Sequence, residues 1–521
     1  MSIHNYAEQA LQSSRRRRRW RVLGLAAVAA GGVGLVAPVP ADAGGYLVRQ
    51  CTAATPGAQA SWERTADSYR QRSLCSSGGG LQIHHRGARA GHGRYGAWSW
   101  KAPAGTTFSS VRAAASLTRH GGHRGELWAI PERGPSLRFG GEHAAFRVHG
   151  RRGELARFEA RLRCVRSGGC ASSPDDRARA YVRGVKLRVR DRSAPRVTSA
   201  EGELLRGRVV RGERSLALTG RDRGGGVRRL TVEAGDSQLA GATIGCDLGA
   251  GFVARLVPCP RTAAETLRVA TTHRRLVTGP NAIRACAEDL ALAGRANRDC
   301  ERHRIWVDNE CPDSTREGGR LTARLGGGAT ATVASNRRAA VGGRLTSASG
   351  EPVAGATVCA LTRIDRRGTG VRVVATRRTD AAGRFRIPLP PGPSREVFVH
   401  HAHGDEVVSR HGLTVRSRAR ATLRLRSPRR PRSGERLRFR GRLPGPFCGG
   451  RAVEIEAQLA GGGWQVFRTA RTNRRCRFAA RYRLRATTRP TRYRFRARVR
   501  AQAGYPYAAG HSAVRSKRVA G

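Results

Sequence analysis

From Arg492 to Ala501 apolar and charged residues alternate without a break, with Tyr493, Phe495, Ala497 and Val499 set against five arginines. A period of two cannot form a helical stripe, which repeats every 3.6 residues. It describes a strand with one face in a core and the other in water. Positions 437–443 and 452–457 carry the same pattern. Few spans of ten or more residues show the three-and-four spacing of an amphipathic helix, so the expected class is all-β. At 521 residues the chain is several sandwiches long, and about three to five domains are expected.

The formal net charge of +61 first suggests a nucleic-acid binder, because clustered cations release counterions from phosphates. The cations do not cluster in sequence. Only Lys101, Lys186 and Lys517 are lysine among the 98 basic residues, which leaves 95 arginines spread over nearly every segment. Such uniformity favours a general preference for arginine on soluble faces. No zinc-knuckle, helix-turn-helix or RNA-recognition signature accompanies it, so no specific nucleic acid is expected. Polysaccharide or anionic cell-envelope polymers are the expected partners, bound in a salt-dependent way.

Arg15 to Arg19 and Arg21 precede the apolar run 22–39, and Ala41-Asp42-Ala43 follows as a small-x-small cleavage site. That layout predicts a secretory signal over 1–43 and a secreted, extracellular or cell-surface chain. A membrane is expected only through this segment if it stays uncleaved. The twelve cysteines (Cys51, Cys75, Cys164, Cys170, Cys246, Cys259, Cys286, Cys300, Cys311, Cys359, Cys448 and Cys476) are even in number and form no Cys-x-x-Cys knuckle. Disulfides are therefore expected, mostly between neighbours and one or two per domain, with the connectivity left open.

Residues 44–190 read as short strands with glycine-rich turns, of a length that suits a jelly-roll-like sandwich. Trp98 and Trp100 are expected as a core pair; with Trp128 they are also the candidates for a sugar-stacking platform. His123-Arg124-Gly125-Glu126 has the His-x-x-Glu spacing of a zinc peptidase, but the preceding His120-Gly121-Gly122 is a turn composition, and a hairpin is the favoured reading. A zinc-dependent hydrolase remains an alternative function, and no catalytic residue, metal ligand or cofactor is assigned.

After Ser193-Ala194-Pro195, residues 191–311 form the next expected domain. Its Asp222-Arg223-Gly224-Gly225-Gly226-Val227 turn and Val307-Asp308-Asn309 ending resemble bacterial immunoglobulin-like modules. Asp222 and Asp289 could bind calcium, though aspartates in turns more often cap backbone groups. Residues 312–338 are expected as a linker with room for an edge strand. Within 339–413, Gly350 to Val358 and Thr379 to Gly392 resemble the carboxypeptidase regulatory-like domain, which implies a transthyretin-like sandwich and no peptidase activity. His400, His401 and His403, beside Asp405 and Glu406, are the densest set of metal-competent side chains; Gly404 points instead to a hairpin with solvated neighbours.

Residues 414–521 are similar to C-terminal immunoglobulin-like modules of secreted actinobacterial proteins. The fold expected from all of this is a series of β-sandwiches: jelly-roll-like, immunoglobulin-like, transthyretin-like and immunoglobulin-like. The expected role is non-catalytic, either structural, adhesive or binding, with carbohydrate binding by the first domain as the alternative. No Gly-x-Ser-x-Gly, P-loop or His-Glu-x-x-His motif occurs.

Overall fold

The computed structural model describes residues 44–521 except 118–119, 140–142, 150–153, 172–177, 460–461 and 486, so the expected signal segment lies outside it. Residues Asp42–Gly521 form one compact unit. Its described residues are almost entirely strands, paired antiparallel in all but one ladder between strands. Among them no helix is long and apolar enough to cross a membrane.

Eleven strands build the first sandwich: β1 (Gly45–Gln50), β2 (Ser61–Arg64), β3 (Tyr69–Leu74), β4 (Gly80–His85), β5 (Tyr95–Lys101), β6 (Thr106–Leu117), β7 (His123–Pro131), β8 (Leu137–Phe139), β9 (His143–His149), β10 (Leu155–Cys164) and β11 (Arg179–Asp191). One layer runs β2-β5-β10-β7-β8. The other centres on β11, which pairs with β6 along one edge and with β4 and then β1 along the other, while β9 extends the β6 edge and β3 the β4 edge. The layers join at a single pair, Leu155 with Phe108, so the sheet curls over its own core. Trp100 stacks on Phe158 there at a 5.3 Å centroid distance.

The second sandwich sets three strands (Arg196–Glu201, Glu213–Arg221, Thr262–Ala270) against four (Ser237–Thr243, Val227–Ala234, Gly279–Asp289, Arg298–Val307). In the third, the three strands Arg320–Leu325, Ala339–Thr346 and Arg384–Leu389 face five built around Arg395–His403 and Glu406–Arg418. In the fourth, Thr422–Arg426, Arg436–Arg442 and Arg477–Arg483 face a sheet that contains Ala452–Gln458 and Thr491–Val499. The alternation at 492–501 acts as its period requires: Phe495, Ala497 and Val499 are fully buried and Tyr493 nearly so.

Segment 312–338, expected as a linker, supplies two strands of the third sandwich. Arg320–Leu325 pairs with Ala339–Thr346, and Thr330–Ala334 pairs in parallel with Glu406–Arg418. Leu321, Ala323 and Leu325 are buried. The glycines at 326–328 and the threonines diluted the apolar signal that would have marked these strands. Glu406–Arg418 also runs through the expected boundary at 413.

All twelve cysteines pair in chain order: Cys51–Cys75, Cys164–Cys170, Cys246–Cys259, Cys286–Cys300, Cys311–Cys359 and Cys448–Cys476. Five of these bridges staple single sandwiches. Cys311–Cys359 instead ties the end of the second sandwich to the third.

Phe495 meets Phe439 edge to face at 5.2 Å. Phe495→Ala is expected to destabilise the last sandwich by about 3–5 kcal/mol. Scanning calorimetry should show its transition shifted down alone, and an unchanged profile would contradict this placement of the core.

Candidate functional site

The sequence candidates separate once the layers of the first sandwich are known. Trp98 and Trp100 point inward, where Trp98 Nε1 donates to the Gln82 carbonyl at 3.1 Å and Trp100 Nε1 to Gln50 Oε1 at 2.9 Å. Neither can serve as a sugar platform. Trp128 lies on the outer face of β7, but its ring is taken up: the Arg161 guanidinium sits 4.6 Å from its centroid and 4.5 Å from that of Tyr95. Two fully buried carboxylates complete this ladder. Glu159 accepts from Arg157 at 3.1 Å and from Arg161, and Glu126 accepts from Trp128 Nε1 at 3.0 Å.

His123 and Glu126 are three residues apart on one strand, so their side chains leave opposite faces. His123 enters the core against His85, with ring centroids 4.3 Å apart, while Glu126 belongs to the outer ladder. They do not converge on a metal, and the zinc-hydrolase alternative loses its ligands. Burial pushes the His123 imidazole down to about 4, helped by the neighbouring His85.

The histidines at 400–403 do flank a hairpin turn at Gly404, but they are not solvated. His400 packs against the second sandwich. His400 Nδ1 meets Asp308 Oδ2 at 2.7 Å and His400 Nε2 meets His411 Nε2 at 2.9 Å, beneath Trp306 and Phe398. His401 and His403 each use Nδ1 on a backbone carbonyl, of Thr357 and Ser314 respectively. Burial alone would raise the Asp308 carboxyl, but the hydrogen bond and charge of His400, with the amides of Cys311 and Glu310, hold it below its ordinary value. Burial, His400 and Arg208 push His411 down to about 4. Asp308, Cys311 and Cys359 cluster closely enough for a metal, but both sulfurs are committed to their bridge.

The first and second sandwiches meet at a second buried polar cluster, which sequence reading missed because Asp191 is remote from its partners. Asp191 Oδ2 accepts the Gly225 amide at 2.6 Å, Asp222 Oδ2 the Gly226 amide at 2.7 Å, and Asp289 Oδ1 the Asn297 amide at 2.7 Å. Asp222 and Asp289 thus cap backbone groups. Any side chain at Gly224 would collide with the Asp191 carboxylate, which explains the glycine run of that turn. Tyr46 donates across the junction to Leu256 at 2.7 Å. Burial raises Asp191 to about 6 and Asp289 to about 8; repulsion from Asp222 adds to both shifts, and Asp191 adds to that of Asp289.

The open surface of β6, β11 and β1 holds a concavity of about 470 Å³ in which Arg49, Arg112 and Lys186 stand over Ala53, Ala54 and Gly184. Register places the three cations in one row: Arg49 opposite Lys186, and Lys186 opposite Arg112. A bulge between Arg183 and Lys186, where Gly184 has φ 61°, widens the floor. Phe252 of the second sandwich carries the Arg49 guanidinium at 4.4 Å. Among the described residues none of the three cations forms an ion pair. Alternation in the sequence marks each as outward-facing, but only strand register brings them together.

Sandwich sheets carrying six disulfides define a modular β-sandwich protein of the kind found in extracellular environments. Residues 340–426 match the family model of the carboxypeptidase regulatory-like domain, an immunoglobulin-like module without catalysis. No curated protein matches the chain.

The two junctions should respond to pH in opposite senses. Asp191 and Asp289 hold folded values of about 6 and 8 above an ordinary 3.8, so their contribution is fully present in acid and lost as pH rises through that window. His411, at about 4 against an ordinary 6.5, favours the fold above that window and loses its contribution as pH falls from 6.5 to 4. Asp289→Asn should flatten the alkaline loss and His411→Gln the acid loss, as read by hydrogen exchange at each junction. Identical profiles for wild type and variants would refute the assignments.

Proposed function

We propose that the chain is a secreted or cell-envelope-associated protein with a non-catalytic structural and binding role, acting on anionic polymers outside the cell. The observation that carries this reading is the way the sandwiches are fastened. Cys311–Cys359 bridges the second and third, and a buried hydrogen-bonded junction fuses the first and second. Such fastening suits a part that must hold its modules in register. The non-catalytic regulatory-like domain and the unpaired cations of the first sandwich point the same way.

Three experiments test it. Mature chain 44–521 should be retained on polygalacturonate at low salt, and Arg112→Gln with Lys186→Gln should weaken retention about tenfold. Turnover of peptide, ester or glycoside substrates, with or without divalent metals, would refute the non-catalytic role. In the chain-entropy model a loop of this size is worth about 4 kcal/mol. Cys311→Ser with Cys359→Ser should therefore leave each sandwich folded but open the segment near 312–319 to limited proteolysis; unchanged protease resistance would show that the bridge does not hold the junction.

A further inference from the structure

The last sandwich divides its charges unequally between its two sheets. On one sheet, Glu456 takes Arg496 at 2.5 Å and Arg498 at 3.2 Å, and Glu454 takes Arg500 at 2.7 Å, so cations and carboxylates interleave. The other sheet consists of Thr422–Arg426, Arg436–Arg442 and Arg477–Arg483, and these three strands contain no acidic residue. All nine of their arginines are exposed.

Register turns these arginines into a grid. Arg438 lies directly opposite both Arg426 and Arg481, Arg424 opposite Arg440, and Arg442 opposite Arg477. Neighbouring strands are about 4.8 Å apart, and alternate residues along a strand about 7 Å. Like charges placed directly opposite destabilise a sheet pair. Among the described residues none of these arginines forms an ion pair, whereas Arg496, Arg498 and Arg500 of the same domain do. The two carboxylates on the strands of this sandwich, Glu454 and Glu456, both lie on the opposite sheet, so the like-charge pairs of the grid face no acid on their own strands.

We propose that this grid is a docking surface for a linear phosphodiester polymer of the cell envelope. Guanidinium groups match phosphate oxygens in two-pronged geometry, and a flexible chain of phosphates can follow a two-dimensional array where a stiff chain of sugars needs a groove. No aromatic side chain points out of this face, so it offers no platform for stacked bases. Nor does it carry an exposed large apolar side chain to enter a lipid surface. The proposal rests on the extracellular binding role above and adds to it a second, separate contact surface.

The test uses mature chain 44–521 and three probes: isolated poly(glycerol phosphate), a thirty-residue oligothymidylate, and vesicles of phosphatidylglycerol with phosphatidylcholine. The grid variant replaces Arg438, Arg440 and Arg481 by Gln. A control variant replaces Arg302, Arg304 and Arg372 by Gln, three exposed arginines of the second and third sandwiches. Both lose the same charge, and the grid variant should melt no lower than wild type because like-charge opposition is relieved. With poly(glycerol phosphate), the grid variant should bind about tenfold more weakly and its salt dependence should fall by roughly two to three contacts, against little change in the control. Equal weakening in both variants, absent wild-type binding, or tighter grid-dependent binding of the oligonucleotide or vesicles would overturn the proposal. Retention on polygalacturonate through Arg112 and Lys186 is scored separately, so loss of the grid result leaves the broader reading standing, whereas substrate turnover would remove that reading itself.

Discussion

Repulsion among the cations is the constraint under which the rest of this structure is built: 98 basic residues face 37 acidic ones. With so few carboxylates, their placement decides where charge is neutralised. The structure buries several of them at defined positions. Glu126 and Glu159 lie under the arginine and tryptophan ladder of the first sandwich, Glu456 beneath Arg496 and Arg498, and Asp191, Asp222, Asp289 and Asp308 at the junctions between sandwiches. A buried carboxylate that accepts two or three hydrogen bonds organises its surroundings far more strongly than an exposed ion pair does. In the cationic row of the first sandwich and the arginine grid of the last, the cations form no ion pair among the described residues.

Small cores under repulsive surfaces need additional support, and the disulfides supply it. Five bridges close loops within single sandwiches and restrict the unfolded chain. The sixth acts between sandwiches, beside the buried Asp308, His400 and His411 chain. Covalent and polar fastening therefore coincide at the same junction. At the junction of the first two sandwiches the fastening is polar and apolar only, with Val253 and Leu290 completing the core that Tyr46 and Val48 begin.

Much of the architecture could be read directly. Alternation at 437–443, 452–457 and 492–501 marks strands and their inward faces, and the turn residues at 350–358 and 379–392 point to the third sandwich. Where glycine and threonine thin the apolar signal, at 320–334, the sequence reads as a linker with room for one edge strand, and the structure forms two edge strands there. The sites were harder. Trp98 and Trp128 both lie on strands of the first sandwich, and only the packing of the two layers decides that one is core and the other is stacked under Arg161. The zinc pattern at His123 and Glu126 failed for a local reason, because a strand sends residues three apart to opposite faces.

Sequence alone determined the all-β class, the outward direction of the arginines on alternating strands such as 437–443 and 492–501, and the pairing potential of the cysteines, because these follow from period-two geometry and composition within a few residues. Tertiary structure alone decided which arginines stand opposite one another, that Asp191 meets Asp222 and Asp289, and that His400 meets Asp308 and His411. Those contacts join residues up to about a hundred positions apart, 92 in the case of His400 and Asp308. They depend on strand register and on how the sandwiches dock, which no local pattern encodes.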